Sequence, residues 1–415
     1  MGTVRAPYPS KMTDIDNKSI VVVEQTATDI TFRNRAGIAV GSFTIRNAPP
    51  ILVKAIRRIG SFDLGYRDVL IKDWRRPFSP NARLANPASL PAGTANSVAW
   101  SPDGQYLTVM TSGSPYINNY KLDADTLTRL ADPATLPGTT GLSCVWSPDG
   151  QYLAVGCTGT PRLTIYKRAG DVFTKLADPA TLPAGTGVSS MDWSSDGQYL
   201  AVGSSSGTPS ITIYKRSGDV FTKLSDPSSL LTGNITGLSW STDMTYLAAT
   251  SGTAPYLMVY KRAGDVLTKI SDPAILPTGS GQDASWSPDG KYLSIAHNTT
   301  PFVTIYERVG DTLTKLSNPN PLPGGSALAT SWSPDGQYLF VGFLSVSPYH
   351  ILYKRADDSF IKIEDFSTVP AGSGLNGGSW SPDGRYLAVS HGTAPYIDVY
   401  KSAMGPIAGA AVRVI

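Results

Sequence analysis

Cysteine is almost missing from this chain: 415 residues contain Cys144 and Cys157 and no others. Two cysteines make no disulfide framework and show no metal-ligand spacing. Histidine is nearly as rare, at His297, His350 and His391, which leaves few general bases, and ordinary core or rim packing accounts for all three. Charged residues make up only 16%. No apolar run reaches the 18 residues of a membrane-spanning helix. The opening MGTVRAPYPSKMTD has no apolar export core, and Ala6 stands where a myristoylation signal needs Ser or Thr. These absences lead us to expect a soluble protein made in a reducing cytosol, without membrane insertion, cofactor or metal.

What is abundant is Gly, Pro, Ser and Thr, the composition of a turn-rich all-β protein. The net charge of +3 is unevenly spread, because residues 1–80 hold 13 Lys and Arg against 7 Asp and Glu. A basic end of this kind suits docking on an acidic partner, or is a small domain with solvated arginines. DIDN at residues 14–17 is a calcium-loop fragment without its glycine or closing glutamate, so it counts as a turn.

The stretch WSPDGQYLAVG returns along the chain. Trp100, Trp146, Trp193, Trp240, Trp286, Trp332 and Trp380 are spaced by 46, 47, 47, 46, 46 and 48 residues, and seven of the eight tryptophans keep this register. One unit, residues 173–219, reads as four short strands: FTKL, GVSSMDW, YLAVGS and ITIYKR. SPDG is a hairpin turn, with Pro fixing φ, Asp bonding back to the backbone and Gly accepting positive φ. The KRAGD and KRSGD corners make the next hairpin, and DPATLPAGTG links one unit to the next. Four antiparallel strands per period of about 46 residues is the pattern of a β-propeller, whose blades bury both faces only between neighbours.

The ends of the array are complementary. LANPASLP at residues 84–91 copies the exit of an outer strand with no repeat hairpin before it, while PYIDVYKSAMG stops after a third strand. We therefore predict an all-β protein in three parts. Residues 1–74 form a small N-terminal β anchoring domain. Residues 75–401 form a seven-bladed propeller of four-stranded blades, the last closed by an N-terminal outer strand near Arg83 and Leu84. The apolar tail, residues 402–415, packs on the N-terminal domain or on a partner. If Trp146 pairs near Tyr152, Cys144 faces about residue 154 and Cys157 lies out of register, so no bridge forms.

The phrases VWSPDGQYLAVG and TIYKR resemble the WD-repeat family, although the Gly-His pair is lacking and IYK replaces Trp-Asp. That resemblance implies a WD-like propeller without the family's buried polar network. YLAV, PY-apolar-x-VYKR-x-GD, F-T-K-L-x-DP and LP-x-G also resemble propeller repeats encoded in bacteriophage and prophage structural regions, over residues 83–401.

Candidate sites follow from the repeat and from its exceptions. The seven tryptophans are expected to pack blade against blade. The SPDG aspartates Asp103, Asp149, Asp289, Asp335 and Asp383 cap their own turns and are no catalytic ring. The pairs Lys167-Arg168, Lys215-Arg216, Lys261-Arg262 and Lys354-Arg355 each have an Asp two to four residues on, which balances charge locally and argues against a nucleic-acid track. The opposite face gathers uncharged loops of Gly, Ser, Thr and Asn. There Tyr116, Tyr256, Phe302, Tyr349 and Tyr396 follow a repeated proline, where they stack on a glycan or a protein partner or simply pack on adjacent blades; Arg162 and Ser210 replace them in two repeats. No catalytic constellation is found.

The phage resemblance, the missing catalytic set and the unrepeated ends together imply a non-enzymatic virion structural protein of a tailed bacteriophage, made in the host bacterial cytoplasm. Residues 1–74 and 402–415 would anchor many copies to other virion proteins, with the propeller projecting as a decoration or host-adhesion module. A lactonase-type propeller enzyme and an intracellular WD-like scaffold are the alternatives.

Overall fold

The structure is a computed structural model that describes residues 82–363, 366, 370 and 374–401, together with strand segments of backbone between residues 20 and 70. Among those segments, Ile20–Gln25, Asp29–Asn34 and Ala39–Thr44 form an antiparallel sheet, Leu52–Ala55 pairs with Arg67–Leu70, and Arg58–Ile59 pairs with Phe62–Asp63. The chain divides into two compact units, of which the propeller is residues 77–403. The expected anchoring by residues 1–74 and the packing of residues 402–415 lie outside the described residues. No helix among those residues is long and apolar enough to cross a membrane.

Seven four-stranded antiparallel sheets form the blades. Blade 1 runs Ala95–Trp100, Tyr106–Thr111, Ile117–Asp123 and Thr126–Arg129 from the axis outward, and each later blade repeats this order. Blade 7 is composite: Leu375–Trp380, Tyr386–His391 and Ile397–Lys401 are completed by Ala82–Arg83, with Tyr400 opposite Arg83 and Lys401 opposite Ala82. The inner strand of blade 7 packs beside that of blade 1. The predicted closure is therefore the one observed.

Burial explains the strand composition. Second strands such as Tyr152–Cys157 are buried at every position, because both faces of a blade meet a neighbour. Inner strands such as Gly141–Trp146 alternate more, since their other side borders the axial channel. Trp146, Trp240, Trp286 and Trp332 lie on the Tyr of the preceding blade, as in Trp146 with Tyr106 at 6.2 Å and Trp286 with Tyr246 at 6.3 Å between ring centroids. Trp100 closes the circle against Tyr386 at 5.9 Å. Where the outer strand carries Phe, as at Phe173, Phe221 and Phe360, that ring meets the Trp edge-on.

The hairpin register differs by one residue from expectation: Trp146 faces Leu153, and Cys144 faces Val155. The cause is the length of the turn. Ser147 N–H donates to Tyr152 O, and Ser147 Oγ accepts from Tyr152 N–H, so Gln151 belongs to the loop. Asp149 accepts from Ser147 Oγ and Gln151 N–H, and Gly150 sits at φ 67° as the turn requires. Cys144 and Cys157 are free and buried, and burial pushes the Cys144 thiol up to about 12.

IYK supplies a polar tie of its own. Tyr120, Tyr166, Tyr214, Tyr306 and Tyr353 are fully buried, and their hydroxyls donate to carbonyls of the linkers at Ser89, Thr135, Thr181, Ile275 and Pro321. In these five blades one buried tyrosine holds the linker down.

Candidate functional site

Three regions gather the chemistry: the loop face, the hairpin face and the axial channel.

On the loop face, Tyr116, Tyr256, Phe302, Tyr349 and Tyr396 occupy equivalent positions just before the third strand. Ring closure places blade 7 beside blade 1, so these residues form one continuous arc over blades 4, 5, 6, 7 and 1. All five are half-buried, and all five have φ between 64° and 70°. Left-handed backbone at a bulky residue is unfavourable by roughly 1–3 kcal/mol. Arg162 and Ser210 close the same loop in blades 2 and 3 outside that region, so the turn itself does not demand it. Phe302 and Tyr396 pack against buried clusters at their blade junctions. The hydroxyls of Tyr116, Tyr256, Tyr349 and Tyr396 bond to no described residue. Around the arc the loops are joined by neutral groups, with hydroxyl contacts between Thr232 and Thr253 at 3.3 Å and between Thr278 and Thr299 at 2.9 Å.

The hairpin face carries the charge, and it is organised across blades. Lys167 pairs with Asp219 of the next blade at 2.9 Å, and Lys121, Lys215 and Lys261 pair likewise with Asp171, Asp265 and Asp311. Lys401 of blade 7 reaches Asp125 of blade 1. The same aspartates accept the hydroxyls of Tyr106, Tyr152, Tyr199, Tyr246 and Tyr386. Arg262 bonds backbone carbonyls of its own blade, but Arg168, Arg216, Arg308 and Arg355 point the other way and pair with Asp103, Asp149, Asp243 and Asp289 of the preceding blade at 2.8–3.1 Å. Their guanidinium groups lie over the Tyr of that blade, at 4.6–4.9 Å from the ring centroid. Local charge balance is thus corrected to a head-to-tail clasp, in which Asp103, Asp149, Asp243 and Asp289 use one oxygen for their own turn and the other for a neighbour.

Inner strands are stapled around the channel. Asn96 donates to Gly141 O, Thr236 to Gly281 O and Asn376 to Ala95 O, each in the next blade. Just before the Trp, Ser239 and Ser379 accept the N–H of the next blade's Trp286 and Trp100. Blade 3 has Asp192 at this position, which accepts from Trp240 N–H and Trp193 N–H. Asp283 of blade 5 accepts from Ala284 N–H and Thr330 N–H. Loss of hydration pushes both carboxyls up to about 7, and for Asp192 the charge of Asp283 adds to the effect. These channel carboxylates escaped the sequence reading; aligning the repeats on Trp exposes Asp192 among serines.

The sign of their effect follows directly. Each carboxyl holds its proton to higher pH in the fold than in the unfolded chain, so stability present below pH 4 is lost as pH rises through about 7. Asp192→Ser installs the residue of four other blades and removes this titration. Its melting temperature minus that of the wild type is expected to increase between pH 5 and pH 8; a constant difference would contradict the assignment.

The histidines are buried. His297 Nε2 meets Thr304 Oγ1 at 2.9 Å, and burial lowers its pKa to about 4, so it is neutral near pH 7. His350 stacks on Phe366. His391, in the place His297 holds in blade 5, instead faces Asp398, which Arg83 of the closing strand also reaches. No group of three or more His, Cys, Asp or Glu among the described residues is arranged to hold a metal ion.

Two segments, residues 133–163 and 179–211, match the family model of the WD domain, G-beta repeat. A chain of the crystal structure of a mitotic checkpoint complex superposes with a TM-score of 0.59 at 17% identity, covering 84% of this chain and 99% of the other. A chain of Kuenenia stuttgartiensis hydrazine synthase does so with 0.58 at 16% identity, covering 77% and 98%. No curated protein matches the sequence. At such identities these likenesses carry the fold alone, and the protein is a seven-bladed β-propeller, two segments of which match the WD-repeat model.

Proposed function

We propose that this protein is a non-enzymatic recognition propeller, carried in many copies on the virion of a tailed bacteriophage, whose loop face binds neutral carbohydrate on the host surface. The observation that carries the recognition reading is the continuous arc Tyr256, Phe302, Tyr349, Tyr396 and Tyr116. A turn that needed only left-handed backbone would take Gly or Asn. Aromatic rings at five such positions, four with hydroxyls unbonded to described residues, in a field of neutral hydroxyl and amide groups, suit a ligand with apolar ring faces, many hydroxyls and no charge. Attachment through residues 1–74 and 402–415 to other virion proteins is part of the proposal, and the virion assignment rests on the repeat phrases quoted above.

The test uses the full chain and a panel of neutral glucose, mannose, galactose and N-acetylglucosamine oligosaccharides. Replacing Tyr116, Tyr256 and Tyr349 together by Gly removes three rings and relieves three left-handed residues. The variant is expected to melt no lower than the wild type while its best glycan binds at least about tenfold more weakly. Unchanged binding, or a melting point lowered as for core tyrosines, would refute the site. For the virion assignment, neighbouring capsid, portal or tail genes are expected; metabolic neighbours would defeat it.

The WD40 match favours a second reading, an intracellular protein-interaction scaffold. The lactonase-type alternative asks for charged channel residues from different blades, which Asp192 and Asp283 partly supply. Both oxygens of each are engaged by backbone amides, which supports a stapling role. Robust lactone hydrolysis that disappears on Asp192→Ser would establish the enzyme instead.

A further inference from the structure

The clasp that joins blade to blade lacks its guanidinium at one described junction. Leu122 of blade 1 occupies the position of Arg168, Arg216, Arg308 and Arg355: its N–H bonds Gln105 O as Arg168 N–H bonds Gln151 O. Leu122 packs against the apolar cluster of blades 7 and 1 and carries no charge. The receiving half of the clasp is nevertheless intact on blade 7. Tyr386 bonds Asp125 as its counterparts bond theirs, and Asp383 caps its turn through Ser381 Oγ and Arg385 N–H.

Where a guanidinium lies at five other junctions, this seam has an open cavity of about 650 Å³, lined by Asp103, Leu122, Asp125, Asp383, Arg385 and Tyr386. Its size falls among ligand-binding pockets. The nearest internal cation does not complete the clasp. Arg385 Nε stands 3.9 Å from Asp383 Oδ2, against 2.8–3.1 Å in the completed pairs. Its guanidinium carbon is 5.4 Å from the Tyr386 centroid, against 4.6–4.9 Å. Asp103 and Asp125 already hold Arg168 and Lys401. Asp383 is the carboxylate left with spare capacity.

We propose that the seam between blades 7 and 1 is a binding site for an arginine side chain of a partner polypeptide, which enters over Tyr386 and pairs with Asp383. The template is internal: the same Asp and Tyr receive a guanidinium from the following blade at four other junctions. A planar fork matches the carboxylate and the ring face together, which an ammonium does not. The site is independent of the loop face.

The test uses the full chain with N-acetyl-arginine amide as probe and its citrulline counterpart as the uncharged isostere, followed by saturation-transfer NMR. Saturable millimolar binding of the arginine probe is expected, at least about tenfold weaker for citrulline. Leu122→Arg supplies the missing side chain from within and is expected to abolish binding while raising the melting temperature by roughly 2 °C. Asp383→Asn, a surface change, is expected to abolish binding without that gain. Equal binding of the two probes, binding that survives both substitutions, or no saturable binding by the wild type would each overturn the proposal. None of these outcomes bears on glycan binding at the opposite face.

Discussion

Asp398→Thr is expected to cost about 3 kcal/mol in chemical unfolding, the largest effect we foresee for a change of one polar side chain. Threonine is what blades 2, 3 and 5 carry at this point of the third strand, as Thr164, Thr212 and Thr304, so the backbone and most of the volume are tolerated. What disappears is a buried charge system. Asp398 is 2% exposed, Arg83 reaches it from the closing strand, and His391 Nε2 lies 3.3 Å from its other oxygen. Removing the carboxylate leaves the cationic end of Arg83 without that partner; Asn86 is its other contact. The closing strand is only Ala82–Arg83, supported by Leu84 N–H to Val399 O, so the loss falls on the one place where the ring is not covalently continuous. Faster hydrogen exchange at Leu84 and along Ile397–Lys401 is expected to accompany the lower stability. In a cycle with Arg83→Ala the double variant should lose less than the sum of the singles. Additive losses would mean that the pair is not what holds the strand.

Trp286→Ala is expected to cost about 3–5 kcal/mol. Trp286 is 6% exposed, lies on Tyr246 of blade 4 and is covered by the Arg308 guanidinium at 5.8 Å. Alanine opens a void between two blades and uncouples that cover. Because the damage is to an interface and not to a binding surface, any ligand of the loop face should be held by the fraction that remains folded with unaltered affinity. A variant that kept its melting point would show that blade packing does not depend on this ring.

Much of the architecture was legible because the repeat aligns itself. Trp at a fixed interval, SPDG with a glycine that takes positive φ, and four short strands per unit lead to blades, and the unmatched ends lead to closure at Arg83. The register slipped by one residue because Gln151 looks like the start of a strand, while Ser147 and Tyr152 bond around it. The clasps were hidden by a decoy. Lys167 has Asp171 four residues away in sequence, yet its partner is Asp219, one repeat on. The recurring offset of 50 to 52 residues from each Lys to an Asp was the available signal. Asp192, Asp283 and Asp398 are exceptions within an aligned column, visible only when one repeat is read against the others. The aromatic arc looks broken in linear order and becomes continuous only when blade 7 meets blade 1.

The half-finished clasp at Leu122 also matters for how a nearly round propeller is read by its surroundings. Seven blades built from one phrase present much the same outline after each seventh of a turn, and a partner that recognised only the common outline could sit at any of several azimuths. Leu122, Asp383 and the charge cluster at Asp398 fall on one spoke of the wheel and mark where it begins. Through that mark a pseudo-symmetric disc offers any partner a single rotational angle.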